Sequence, residues 1–190
     1  MESRNIMIVG VGGQGTLLAS KLLGRILLEN GYDVKVSEVH GMSQRGGSVV
    51  TYVRYGEKVY SPIIDKGEAD IIISFELLEA ARWVEYLREG GILLTNTQRI
   101  NPMPVITGAA EYPKSLEQKL AALPIRLDAM DALGLALQAG SAKAVNLVLL
   151  GRLSKYFHFT DEQWQDAIQK SVPAKFLELN QKAFALGAGA

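Results

Sequence analysis

Gly10, Gly12, Gly13, Gln14, Gly15 and Thr16 have the types and spacing of a phosphate cradle. They lie in IMIVGVGGQGTLLASKLLG, residues 6–24, where a short apolar run ends in Gly-x-Gly-x-x-Gly and a helical pattern follows. Glycines let the backbone approach an anion, and the N–H groups of the helix's first turn face it. Gly10 and Gly15 also have the spacing of a P-loop, but Thr16 stands where that loop carries its lysine. Nucleotide hydrolysis, which needs that cation on the β/γ-phosphates, is set aside. Three readings stay open: a dinucleotide fingerprint with Glu38 as the ribose acid, a cradle for another pyrophosphate, and glycines that only let strand and helix pack closely.

A second group follows in SEVHGMSQRGGSV, residues 37–49. Glu38, His40, Met42, Ser43, Gln44, Arg45, Gly46 and Gly47 form a loop dense in residue types suited to interfaces and tight turns. The guanidinium of Arg45 suits a carboxylate or phosphate at a subunit boundary. The plainer reading is a solvated surface loop, and the composition favours the interface. His40 alone reads as a hydrogen-bonding structural residue. Ser74 and Glu76 follow a triple isoleucine at a strand's C-terminal end, where open α/β sheets place ligands. Glu76 equally suits a helix's first turn. His158, between aromatics, reads as packing or capping, and Trp83 and Trp164 as core or partner contacts.

The elements that must position these groups alternate in the manner of a three-layer α/β/α domain with a mostly parallel sheet, an antiparallel hairpin and a helical C-terminal part. Strands are expected at Asn5 to Val9, Asp33 to Val39, Asp70 to Phe75, Ile92 to Thr95 and Ile125 to Leu127. The hairpin is expected from Val49–Tyr55 and Lys58–Ser61 around Gly56-Glu57. Helices are expected at Thr16 to Glu29, Glu76 to Glu89 (stopped by Gly90-Gly91) and Lys114 to Leu123. From Ala129 onward four more follow: Ala129 to Ala139, Lys143 to Tyr156, Asp161 to Ser171 and Lys175 to Leu186. Thr160 with Gln163 fits a capping box. Asn96 to Pro113, with three prolines, reads as a loop or an irregular edge, and Gly187 to Ala190 as a small-residue tail.

Composition narrows the function. The chain has 190 residues, with 20 Lys plus Arg against 20 Asp plus Glu. That length fits one domain, residues 1–190, and the balanced charge gives no bulk attraction to nucleic acid or membrane. No apolar run is long enough to span a bilayer, and the N-terminus reads as a strand rather than a signal peptide, so the cytoplasm is the expected compartment. There are no cysteines and two histidines, far apart. A cysteine-ligated cluster, a disulfide framework and a cysteine nucleophile are excluded, and no metal site is expected.

Three segments together, GVGGQG, SEVHGMSQRGGSVVTYVRYG and ADIIISFELLEAARW, resemble the gamma subunit or gamma domain of 2-oxoacid:ferredoxin oxidoreductases. Within that family the chain is most like the small (beta) subunit of the indolepyruvate branch. The resemblance covers residues 5 to 100 strongly and the C-terminal part loosely. It implies a heteromeric enzyme that decarboxylates a 2-oxoacid on thiamine diphosphate, passes electrons through iron–sulfur clusters to ferredoxin and delivers the acyl group to coenzyme A. No Gly-Asp-Gly…Asn motif for diphosphate and magnesium stands in this chain. Thiamine diphosphate, magnesium and the clusters are therefore expected on partner subunits, with this chain inactive alone. Coenzyme A becomes the preferred ligand of the glycine loop, and a stand-alone NAD(P)-binding Rossmann-like oxidoreductase is the alternative.

Overall fold

A computed structural model describes residues 3–40 and 46–190. Six strands form one sheet: β1 (Arg4–Val11), β2 (Asp33–His40), β3 (Ser48–Gly56), β4 (Ala69–Ser74), β5 (Leu87–Asn96) and β6 (Arg126–Met130), in the order β2-β3-β1-β4-β5-β6. β1, β4, β5 and β6 pair in parallel, whereas β3 runs antiparallel to both β1 and β2. The helices are α1 (Thr16–Glu29), α2 (Leu77–Trp83), α3 (Met103–Ile106), α4 (Leu116–Ala121), α5 (Ala132–Ala139), α6 (Val145–Ser154), α7 (Asp161–Ser171) and α8 (Leu177–Gly189).

Strand periodicity divides the core into the two halves of a three-layer α/β/α sandwich. Ile6, Ile8, Ile71 and Ile73 point to one face, where α1, α5, α6, α7 and α8 cover them. Met7, Val9 and Ile72 point to the other, covered by α2 and α4. Successive side chains alternate across a sheet, so a strand buried on both faces must be apolar throughout. The capping box of α7 is present, with Thr160 and Gln163 each bonding the other's backbone N–H.

Five expectations are corrected. Lys58–Ser61 is not a strand. Both edges of β3 are already occupied, by β1 and β2, so no ladder is left for it, and Pro62 disfavours one. The antiparallel part of the sheet comes from β3 between β1 and β2 instead. The helix expected to run to Glu89 ends at Trp83, a 3₁₀ turn follows at Val84–Tyr86, and Leu87 starts β5. Gly90-Gly91 is not a helix stop but a bulge inside β5: the register jumps from Ala69↔Leu87 to Ile71↔Ile92, and Gly90 has φ +69°. The helix expected from Ala129 starts at Ala132, because Ala129 and Met130 pair with Thr95 and Asn96. Asp131 caps α5 by accepting from Gly134 N at 2.8 Å. Finally, the small-residue tail is the last turn of α8, packed on α6.

Candidate functional site

The C-terminal ends of β1, β4 and β5 lie at one edge of the sheet, joined there by the start of the antiparallel β3. The glycine loop leaves β1 at this edge. Gly13 and Gly15 have φ of +101° and +86°, a left-handed backbone that favours glycine. A Cβ on Gly13 would meet nothing within 4 Å, so that backbone faces open space. Gly10 plays another part, since its Cβ would fall 2.9 Å from Phe75 Cβ. Gln14 holds the turn: its Oε1 accepts from Val11 N at 2.8 Å and its Nε2 donates to Phe75 O at 3.0 Å. Gly15 is the N-cap of α1, which has no side-chain cap and no acid in its first turn. That terminus keeps its positive end uncompensated by its own sequence.

Residues distant in sequence complete the wall. Gln98 Oε1 accepts from Gln14 Nε2 at 3.5 Å and from Asn96 Nδ2 at 3.2 Å. The fully buried Asn96 also donates to Phe75 O at 3.1 Å and accepts from Ala132 N at 3.2 Å. Asn146 Nδ2 donates to Gly15 O at 3.4 Å, joining the first turns of α6 and α1. Between them opens a cavity of about 360 Å3 lined by Gly13, Gly15, Gln98, Ile100 and Lys143 among others. Its lining includes one cation, Lys143, and no acid. Glycine backbone, an uncapped helix start and an ammonium are the chemistry suited to an anionic group.

A second cavity, of about 470 Å3, lies on the α2 side of the same edge beneath Gly46, Gly47 and Ser48. Its electrostatics are opposite. Glu79, buried, accepts from Ser48 Oγ and pairs with Arg82 Nε at 3.2 Å. Trp83 Nε1 donates to the same serine hydroxyl at 3.3 Å. Glu76, 1% exposed, caps α2 by accepting from Glu79 N at 2.8 Å. It also accepts from Ile100 N at 3.0 Å and Tyr112 OH at 2.6 Å. Burial and the bond to Glu76 hold the Tyr112 hydroxyl well above its ordinary value, so it stays a donor.

The candidate residues thus separate. Gly12 N donates to Gly47 O at 2.8 Å and Gly46 N to Gly12 O at 3.4 Å, which brings the glycine loop against the end of the second loop. His40 ends β2 opposite Val49. Met42, Ser43, Gln44 and Arg45 lie outside the described residues. Glu38 is not at the glycine loop. A ribose acid would stand at the end of a parallel strand next to β1, but β3 intervenes, and Glu38 instead accepts from Ser20 Oγ of α1 at 3.0 Å. It borders a separate groove of about 650 Å3 between α1, β2 and α7. Ser74 donates to Glu76 O at 2.6 Å. His158 is exposed, while its neighbours Phe157 and Phe159 pack on Trp164. Among the described residues no three acidic or histidine side chains converge on a cation position.

Sequence spacing alone did not reveal Lys143, Asn146, Gln98, Glu79 or Tyr112 as members of the site. Gln98 is 84 positions from Gln14 and Asn146 is 131 from Gly15, so only the sheet brings them together.

The family described as pyruvate ferredoxin/flavodoxin oxidoreductase matches residues 5–190. The chain belongs to that family. It is 46% identical to "Indolepyruvate oxidoreductase subunit IorB" of Thermococcus kodakarensis over 98% of this chain and 95% of the relative. The fold is that of the pyruvate oxidoreductase subunit PORC of Thermotoga maritima, with a TM-score of 0.76 at 22% identity, covering 100% of this chain and 97% of that one. A TM-score of 0.77 at 17% identity relates it to 31% of a chain of the 2-oxoglutarate:ferredoxin oxidoreductase of Magnetococcus marinus, solved with 2-oxoglutarate, coenzyme A and succinyl-CoA bound. The family match extends through α5 to α8, the part whose sequence resemblance is loose.

Proposed function

We propose that residues 1–190 form one gamma-type domain that serves as the subunit carrying neither thiamine nor clusters in a cytoplasmic 2-oxoacid:ferredoxin oxidoreductase, acting on indolepyruvate or another arylpyruvate. The observation that carries this reading is the 46% identity to an indolepyruvate oxidoreductase subunit along nearly the whole of both chains. Partner subunits hold thiamine diphosphate, magnesium and iron–sulfur clusters, and ferredoxin is reached through the assembled complex. The absence of cysteine from this chain supports that division. The strand order argues against the stand-alone NAD(P) enzyme, since it removes Glu38 from the glycine loop.

Within the complex the chain's own task is binding. The open backbone at Gly13, the first turn of α1 and Lys143 suit a pyrophosphate, and coenzyme A is the pyrophosphate this reaction class needs. When bound, its thiol accepts the acyl group. The residues of this chain orient the ligand and offset its charge without a proton transfer of their own. The 41–47 loop is read as partner-facing, with Arg45 on a carboxylate or phosphate of the neighbouring subunit. Its support is the backbone pairing of Gly46 and Gly47, the end of that loop, with Gly12 of the glycine loop.

The test is co-expression with the thiamine- and cluster-bearing subunits. The complex is expected to reduce a viologen dye with an arylpyruvate and coenzyme A, while this chain alone is colourless and inactive. Lys143→Ala should weaken coenzyme A binding to the complex about tenfold at low salt and less at high salt, the loss of one partly screened charge contact. Dye reduction by the purified single chain, or tight NADH binding to it, would overturn the assignment.

A further inference from the structure

Residues 97–115, between β5 and α4, form a strap across the sheet edge that carries both cavities. One residue of the strap, Ile100, lines both of them. The backbone N–H of Ile100 is held by Glu76 Oε1, and Leu77 N donates to Gln98 O at 3.0 Å. On the other side Gln98 is held by Gln14 and Asn96. Capping α2 occupies Glu76 Oε2, through Glu79 N. The other oxygen, Oε1, takes the strap at Ile100 and Tyr112 and has no part in the cap. A buried carboxylate needs several donors, and here two of its three come from the strap.

We propose that Glu76, assisted by Tyr112, is a positioning residue: by holding Ile100 it sets the wall between the cationic cavity at the glycine loop and the cavity beneath Gly46–Ser48. It thereby aligns the part of the ligand that extends beyond the phosphates. This rests on the coenzyme A reading above. Glu76 touches no ligand itself; it acts through the backbone of Ile100. The phosphate contacts, at Gly13, Gly15 and Lys143, are made by residues outside the strap.

Glu76→Asp separates the two duties of the residue. Aspartate is a strong N-cap, so α2 stays capped. Being one methylene shorter, it cannot also reach Ile100 N and Tyr112. Tyr112→Phe removes one donor and leaves Glu76 in place. In the assembled complex, calorimetry would measure two probes: coenzyme A, and 3′-phospho-ADP, which carries the phosphates without the pantetheine arm. Glu76→Asp is expected to weaken coenzyme A about fivefold or more and Tyr112→Phe less, since each removes hydrogen bonds that hold the wall. Binding of 3′-phospho-ADP should be unchanged in both. Equal weakening of the two probes, or of neither, overturns the proposal. If Lys143→Ala weakens both probes while Glu76→Asp weakens neither, the strap inference fails and the phosphate site stands. If Lys143→Ala affects neither probe, the phosphate site is lost and the inference falls with it.

Discussion

Two regions of this chain depend on glycine, for different physical reasons. Where α6 crosses α8, Gly151 and Gly187 let the helix backbones touch. A Cβ on Gly151 would fall within contact of Phe184 O and 2.9 Å from Ala188 N, and one on Gly187 would strike Val148 O. Nothing there is open, and Val148, Leu149, Ala183 and Phe184 are buried around it. At the glycine loop the backbone is bent into a left-handed conformation, and Gly13 meets empty space. The first pair of glycines serves packing density. At Gly13 the loop backbone is instead left open, while Gly15 fits against Asn146.

Substitution should expose that difference. Gly151→Val places side-chain atoms against rigid backbone of α8 and should cost about 3 kcal/mol or more, at the upper end for overpacking. Urea unfolding of the single chain would show it, and an unchanged midpoint would mean that α6 and α8 separate easily. The next effect concerns the ion pair that closes the same helical layer at β6. Asp128, 9% exposed, accepts from Arg152 Nε at 2.8 Å and Tyr156 OH at 2.6 Å. Burial alone would raise the carboxyl, but those two bonds outweigh it and hold it below its ordinary value, while the Tyr156 hydroxyl is pushed up to about 12. Asp128→Asn should cost about 2–3 kcal/mol at neutral pH, near the lower end for breaking a largely buried pair because Arg152 is partly exposed.

The sign of the pH dependence follows from that lowered pKa. The contribution of Asp128 is complete above its unfolded value and disappears as pH falls below about 4, through the folded value. Wild-type and Asp128→Asn stabilities should therefore converge on acidification; a constant gap down to pH 2 would show that the carboxylate charge is not what matters. Gly13→Ala is the smallest of the three for folding, about 1–2 kcal/mol of backbone strain. For ligand binding the order reverses. Gly13→Ala fills the cradle and should weaken coenzyme A binding to the complex about tenfold, whereas a Gly151 variant mild enough to fold should bind it normally. Normal coenzyme A binding by Gly13→Ala would make the loop a packing feature like the helix crossing.

Local signals identified much of the fold correctly. The bounds of α1 and α7 match the helical periodicity and its punctuation, including the Asn30 stop and the Thr160–Gln163 box. The triple isoleucine announced a central strand, and β4 has parallel neighbours on both sides. Errors arose where pairing decided the conformation. Lys58–Ser61 has the pattern of a strand but no free edge to join. Leu87 and Arg88 continue a helical pattern yet are drawn into β5 by Ala69, with the glycines absorbing the bulge.

By itself the sequence determined the layer type, the glycine loop between β1 and α1 and, through the lack of cysteine, that this chain offers no thiolate for a cluster. These depend on residue type and on spacing within about one element, where chain connectivity guarantees proximity. Only the tertiary structure decided that β3 separates Glu38 from the glycine loop, that Lys143 rather than a loop residue supplies the cation, and that Glu76 holds Ile100 between two cavities. Those relations join residues tens to more than a hundred positions apart. No local pattern encodes them, because they come from the order in which the strands pair and the face on which each crossover returns.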